Sequence, residues 1–238
     1  PALPVIGQFL DALNSGKYDL EHTALLITQT GGGCRASNYI YLIRKAISTQ
    51  FPQVPVLSLN FSGLEPNPAF PMTIPIITRL IYCVLYGDML MLLYNQCKPY
   101  EIEKNSTDEL LARWQHRLGK LFATKTQFMN TKSIYRAMLK DFAALPRTKE
   151  KKPRVGIVGE IYVKYSPLAN NDLNNFLMSE GCKPNVPGLL DFVLYCASDL
   201  INDARLYDKQ TPRTAADKIG YDVLYKFQRE QIKMIEEQ

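Results

Sequence analysis

The order of hydrophobic and polar residues in the first part of the chain predicts a strand, a turn, a helix and a second strand. Residues 5–13 have helical spacing and end at Asn14-Ser15-Gly16, which is typical of a helix C-terminus. Residues 23–28 form a short apolar run, as in a central parallel strand covered on both faces. A helical pattern follows at 36–47, and a second strand at 54–59. Such crossovers are right-handed and place ligand sites at the carboxyl ends of their strands.

The middle of the chain is predicted to be helical, and a second strand-turn-helix unit follows it. Apolar residues recur every three to four positions over 110–121 and 134–145, so each segment can bury one stripe. Residues 154–163 have the pattern of a buried strand, and residues 172–180 that of a helix closed by Gly181. Further helices are expected at 189–201 and 215–235.

Composition and charge narrow the functional classes. A chain of 238 residues, 46% hydrophobic and with a net charge of +5, is expected to fold as a globular protein. The basic run RTKEKKPR at 147–154 is more typical of a solvated linker than of a nucleic-acid interface. Residues 74–93 are strongly apolar, but Arg79 and Asp88 interrupt them, which favours a buried helix. We therefore expect no nucleic acid and no membrane among the partners.

The five cysteines form no CxxC motif and are odd in number, which argues against a disulfide framework and suits a reducing cytoplasm. Cys83 and Cys196 lie in apolar helical patterns, where a thiol usually behaves as a small hydrophobic group. The chain opens on Pro1 without a methionine and shows no secretion signal, so we expect a cytoplasmic piece of a longer protein.

The turn between the first strand and its helix is the strongest candidate for chemistry. It is formed by Thr30, Gly31, Gly32, Gly33, Cys34 and Arg35. Glycines leave backbone N–H groups unobstructed, and a following helix adds the positive end of its dipole, so the turn suits an anion. A phosphate, a carboxylate, a thiolate or a cluster sulfide would each be stabilised there, and the same field would lower the pKa of the Cys34 thiol. The alternative is that the glycines only make a tight turn.

A second candidate position is Glu160, at the end of the predicted second-lobe strand. A carboxylate there can face a cleft, or it can be an exposed loop residue or a helix cap. The turn is not a Walker loop and does not match GxGxxG, so no motif points to ATP or NAD.

Five segments together resemble a domain of acyl-CoA dehydratase activase-related proteins. They are IGQFLDALNSGKYD, ALLITQTGGGCRASNYIYLIRKA, FPQVPVLSLN, YGDMLMLLYNQCKPYE and RVGIVGEIYVKYSPLANNDL. The likeness runs over residues 6–173, and QTGGGCR is its most specific part. The chain is also similar to the iron–sulfur subunits of 2-hydroxyacyl-CoA dehydratases and benzoyl-CoA reductases.

The resemblance implies an α/β fold of two Rossmann-like lobes with parallel sheets and a helical middle segment. Residues 1–146 would be the first lobe with its helical insertion, and residues 147–238 a second lobe that is incomplete at its C-terminal end. It also implies a four-iron iron–sulfur cluster in the full-length parent, with Cys34 as ligand. Thr30, Gly31 to Gly33 and Arg35 would support the cluster electrostatically, and Glu160 would contribute from the second lobe.

A cuboidal cluster needs about four ligands, and this chain does not obviously provide them. The family's other cysteine elements would fall before Pro1 and beyond Gln238, so the piece alone is expected to be inactive and can lack the cluster. Its expected partners are ATPase modules of the same parent chain, a dehydratase or reductase, and an acyl-CoA. Two other hypotheses stay open: a module that binds a phosphate of coenzyme A or a nucleotide, and a structural domain between ATPase modules.

Overall fold

The computed structural model describes residues 2–29, 35–60, 73–208 and 212–237 of the chain. Contacts divide the chain into two compact units. The first contains Pro1–Thr73 and Glu160–Asp172, and the second contains Ile74–Gly159 and Leu173–Gln238. These units interleave along the sequence, whereas the predicted lobes at 1–146 and 147–238 are continuous. That division into lobes stays a prediction.

Helices make up most of the described chain, and two parallel pairs of strands accompany them. The helices are α1 (Ala2–Asn14), α2 (Tyr39–Gln50), α3 (Ile74–Cys97), α4 (Ser106–Phe122), α5 (Thr131–Ala143), α6 (Ile161–Tyr165), α7 (Pro167–Asn170), α8 (Leu173–Ser179), α9 (Leu189–Leu206) and α10 (Pro212–Glu236). The strands are β1 (Leu25–Gln29), β2 (Val56–Asn60), β3 (Arg154–Gly156) and β4 (Lys183–Asn185). This architecture agrees with an α/β class in its coarse form.

The first unit confirms the predicted strand, helix and strand, whereas the turn between β1 and the helix lies outside the described residues. Strands β1 and β2 pair in parallel, with Leu25 beside Val56 and Gln29 beside Asn60. Helix α2 lies between them in the chain and packs on both strands, and α1 packs against α2. Its buried residues are those that the helical spacing predicts: Tyr39, Ile40, Ile43 and Ile47. Burial of this stripe is what orders the unit, because a helix of this length is marginal by itself.

One expectation for β1 is wrong: in the part of the chain that the structure describes, the strand is buried on one face and exposed on the other. Leu25 and Gln29 are buried, whereas Leu26, which points to the opposite face, is 43% exposed. Thr28 is exposed as well. A run of consecutive apolar residues is typical of strands in sheets that carry helices on both faces, but it does not itself require a second layer.

The second unit has its core around α3. Buried side chains of α3, α4, α5 and α9 form one cluster, and partly buried residues of α10 pack against it. Trp114 of α4 and Met138 of α5 are among its most buried members. The helical stripes predicted over 110–121 and 134–145 are therefore confirmed.

Helix α3 is also the one segment of the described chain that could cross a membrane by length and composition. The most apolar 18 residues within Ile74–Tyr100 have a mean hydropathy of 1.7, and 33% of them are buried. Core helices of soluble proteins meet the same criterion. The polar residues of α3 have protein partners: Arg79 donates to the carbonyl oxygens of Phe122 and Thr124, and Asp88 accepts from the start of α9. Such contacts of charged residues with protein groups favour a core helix.

The strand predicted at 154–163 is mostly wrong. Strand β3 ends at Gly156, and Gly159 has a φ of +146°, which strand residues other than glycine rarely adopt. Glu160 then caps α6, where a strand had been expected. The helices predicted at 172–180, 189–201 and 215–235 are confirmed as α8, α9 and α10.

Candidate functional site

The predicted turn falls in a gap of the described chain. Thr30, Gly31, Gly32, Gly33 and Cys34 lie outside the described residues, so their predicted roles stay predictions. Arg35 opens a short 3₁₀ helix that runs to Asn38. The structure therefore describes the segments on either side of the turn, which are β1 up to Gln29 and the 3₁₀ helix Arg35–Asn38. We call these two segments the frame.

Gln29 ties the two sides of this frame together. It is the last residue of β1 and is 1% exposed. Its Nε2 donates to the carbonyl oxygen of Ser37 at 3.0 Å. This hydrogen bond holds the end of β1 close to the 3₁₀ helix. Breaking it would cost free energy, because a buried amide would lose a hydrogen bond.

The 3₁₀ helix changes the electrostatic argument made from the sequence. Helix α2 begins only at Tyr39, so Arg35–Asn38 separates its positive end from Cys34. The dipole effect falls off within about one turn of a helix. Any anion at residues 31–34 would therefore depend mainly on backbone N–H groups of the turn and on Arg35, and less on the dipole of α2.

A buried hydroxyl also lies in this frame. Ser37 is 7% exposed, and its Oγ finds no hydrogen-bond partner among the described residues. An unpaired buried hydroxyl costs free energy, and such groups in native proteins often bind a ligand or a water. Ser37 lies only three residues after Cys34.

Glu160 belongs to the first unit, together with β1 and the 3₁₀ helix, which lie on either side of the turn. The segment that follows it packs there through Tyr162, whose hydroxyl donates to Oε1 of Gln8 at 2.7 Å. Glu160 itself is exposed, and its Oε2 accepts from the backbone N–H of Val163 at 3.0 Å. It thus acts as the N-cap of α6, which is one of the roles considered for it. Its role at a ligand stays a prediction.

The other cysteines have different surroundings. Cys97 is 2% exposed, and burial raises the pKa of its thiol although Arg147 beside it acts in the opposite direction. Cys83 is exposed, contrary to the expectation of a buried small hydrophobe. Cys83 lies on the part of α3 that faces away from the core. Within residues 2–29, 35–60, 73–208 and 212–237, no three His, Cys, Asp or Glu residues come together as a metal site.

Sequence reasoning missed Gln29 and Ser37, which frame the turn. The signal for Gln29 was present: it follows Leu25 and Ile27 at every second position, so it points into the core with them. A polar residue at an inward position at the end of a strand predicts a buried hydrogen bond. Ser37 carried no comparable signal.

Comparison of this chain with models of protein families, with curated proteins and with solved structures finds no match.

Proposed function

We propose that this chain is part of an ATP-driven electron-transfer protein related to the activases of 2-hydroxyacyl-CoA dehydratases, in which Cys34 ligates an iron–sulfur cluster. On this proposal, residues 1–146 and 147–238 would be the two Rossmann-like lobes of a cytoplasmic protein. The partners would be ATPase modules of the same parent, a dehydratase or reductase, and an acyl-CoA. The observation that supports the proposal best is the parallel β1–β2 pair joined by α2, since ligand sites of such units lie at the carboxyl ends of the strands.

The described residues do not supply the rest of a cluster site. A four-iron cluster needs about four ligands, and the described part of the chain contains no group of three possible metal ligands. On this proposal, the remaining ligands come from elsewhere in the parent protein. Exposed N–H groups of a glycine-rich turn would donate to cluster sulfides, and Arg35 would add positive charge. We derive no reaction step through the cluster.

The test is anaerobic purification of the full-length parent, followed by analysis of iron and acid-labile sulfide. We expect Cys34→Ala to lose most of both, because one thiolate ligand is removed. The matched control is Cys83→Ala, whose thiol is exposed on α3. It should retain the wild-type content. Equal iron in wild type and Cys34→Ala would remove Cys34 from the ligand set and with it the centre of the proposal.

A second candidate function is a module that binds a phosphate of coenzyme A or of a nucleotide at the same turn, without a cluster. The buried, unpartnered hydroxyl of Ser37 favours it, because a hydroxyl can donate to a phosphate oxygen. On this hypothesis, iron-free protein binds coenzyme A in calorimetry, and Ser37→Ala binds it more weakly. Absence of binding in wild type would reject this candidate. A structural domain between ATPase modules would show neither iron nor coenzyme A.

A further inference from the structure

A basic cleft lies within the second unit, where the chain after α5 passes the starts of β3 and β4. Its volume is about 460 Å³. Six cations line it: Arg147, Lys149, Lys151, Lys152, Arg154 and Lys183. Glu150 is the one carboxylate among its lining residues. The cleft therefore has a formal excess of five positive charges, equal to the net charge of +5 of the whole chain.

Three of these cations are held by ordered backbone. Arg154 and Lys183 are register partners in the parallel β3–β4 pair, so their Cα atoms lie side by side. The N–H of Lys183 also donates to the carbonyl oxygen of Pro153 at 2.7 Å. Arg147 forms an isolated antiparallel bridge with Glu101, and its Nη1 lies 3.7 Å from Sγ of Cys97. The backbone of these three residues is therefore held by the fold, which lowers part of the cost of ordering a binding site.

Three of the six cations, Arg147, Arg154 and Lys183, have no ion-pair partner among the described residues. Lys152 pairs with Glu150 at 3.5 Å. No carboxylate of the described residues lies within ion-pair distance of Arg147, Arg154 or Lys183. Lys183 instead donates to the amide oxygen of Gln96 and lies over the ring of Tyr100.

Burial and the neighbouring cations both lower the pKa of Lys183. Burial lowers the pKa of its ammonium group, and the positive charges of Arg154 and Arg147 lower it further. Like charges fixed side by side repel each other, and a bound anion would turn that repulsion into attraction.

We propose that this cleft binds a small ligand through two adjacent phosphate groups. A cleft of this size falls within the range of about 300–1,000 Å³ that is usual for small-molecule sites. A single phosphate carries a charge of about −2 at most and would leave most of the excess unbalanced, whereas two joined phosphates balance more of it. Arginine guanidinium groups such as those of Arg147 and Arg154 match phosphate oxygens two at a time.

A nucleic-acid backbone fits these observations less well. Five of the six cations come from the run 147–154, but Lys183 of β4 joins them in one cleft, and Tyr100 is the one aromatic residue that lines it, whereas a nucleic-acid surface usually has aromatic residues between its cations. The cleft lies at the amino ends of β3 and β4, so it is not the carboxyl-end site predicted from the sequence. Both the site and the inference are independent of a cluster at Cys34.

The test is titration of inorganic pyrophosphate into the 238-residue chain by calorimetry, at a physiological ionic strength of about 0.15 M. We expect saturable binding, weakened about tenfold or more in Lys183→Gln and in Arg154→Gln, because each removes a charge-assisted hydrogen bond. The matched control is Lys132→Gln, an exposed lysine at the start of α5 outside the cleft. It should bind like wild type.

A further variant protects the test against a folding defect. Lys149 and Lys151 are exposed, so Lys149→Gln with Lys151→Gln should keep the wild-type circular dichroism and still bind more weakly. No binding in wild type would overturn the proposal, and so would an equal loss in Lys132→Gln. Orthophosphate binding as tightly as pyrophosphate would overturn the requirement for two phosphates. Displacement of pyrophosphate by a single-stranded oligonucleotide at lower concentration would identify a nucleic-acid surface instead.

Discussion

Replacement of Asp88 should destabilise the second unit strongly, because its carboxylate completes the start of a different helix. Asp88 lies within α3, and its Oδ1 and Oδ2 accept from the backbone N–H groups of Leu189 and Leu190 at 2.9 and 2.7 Å. Those are the first two residues of α9. Gly188, at the N-cap position, has no side chain with which to cap them. The carboxylate of Asp88 takes the place of that cap.

The magnitude follows from the two bonds. Loss of an N-cap side chain costs about 0.5–2 kcal/mol, and bonds to a charged acceptor lie at the upper end of hydrogen-bond strengths. We expect Asp88→Ala to lower the free energy of unfolding by about 2 kcal/mol, which corresponds to a fall in Tm of about 4–8 °C. Asp88→Asn should cost nearly as much. Its amide has one oxygen for two donors, and its NH₂ group would face an N–H.

The assay is thermal and urea unfolding of wild type, Asp88→Ala and Asp88→Asn. Asp203→Asn is the control, since Asp203 is an exposed carboxylate in the same helix α9. It should unfold like wild type within about 0.5 kcal/mol. Wild-type stability of Asp88→Asn would refute the capping argument. It would also weaken the interpretation of α3 as a core helix whose charged residue is satisfied by protein.

Three further variants test separate parts of the second unit by denaturation. Gly188→Ala should destabilise the protein by about 1–3 kcal/mol, since the new Cβ would lie 2.6 Å from Oδ2 of Asp88. Gly87→Ala should stabilise it by about 0.5–1 kcal/mol, because the space around Gly87 in α3 is open. Equal effects of the two substitutions would contradict this steric argument. Burial raises the pKa values of Glu101 and Asp108, but hydrogen bonds, those from Lys98 first, outweigh burial and leave both lowered. Because both pKa values are lowered in the folded state, the two carboxylates stabilise the fold at a pH above their ordinary pKa values. This stabilisation is lost as the pH falls through the lowered pKa values. Lys98→Met should therefore cost about 1 kcal/mol at neutral pH and much less in acid; a cost independent of pH would be the opposite result.

The sequence predicts this fold best in helices that pack on the rest of the protein through a single apolar stripe. In α2, the residues at helical spacing are the residues that are buried, from Tyr39 to Ile47. Periodicity reports burial directly in such a helix, because each buried position packs on the same layer. Helices α4 and α5 follow the same rule.

Prediction failed where local geometry overrode the apolar pattern. Ile161 and Val163 suggested a strand, but the positive φ of Gly159 and the cap by Glu160 start a helix there. Strand β4, Lys183–Asn185, is too short and polar to leave a pattern. For that reason the sequence could not reveal the basic cleft, which depends on β4 to bring Lys183 beside Arg154.

For the candidate site, the sequence predicts the strand before the turn and the helix after it, but not the contacts between them. The strand and helix on either side of residues 30–34 are confirmed, while the bridge from Gln29 to Ser37 and the 3₁₀ helix are structural findings. Such long-range hydrogen bonds depend on the tertiary placement of β1 and α2, which no local pattern specifies. The ligands proposed to act with Cys34 are likewise not specified by the described residues.

The central claim is that Cys34 binds a cluster directly, and an electron paramagnetic resonance spectrum of the reduced full-length parent tests it most directly. Serine can replace a cysteine ligand through its oxygen, so Cys34→Ser should keep a cluster but change its spectrum and lower its potential. Cys83→Ser, with its exposed position on α3, should leave the spectrum unchanged. A Cys34→Ser spectrum that superimposes on that of wild type would contradict the account.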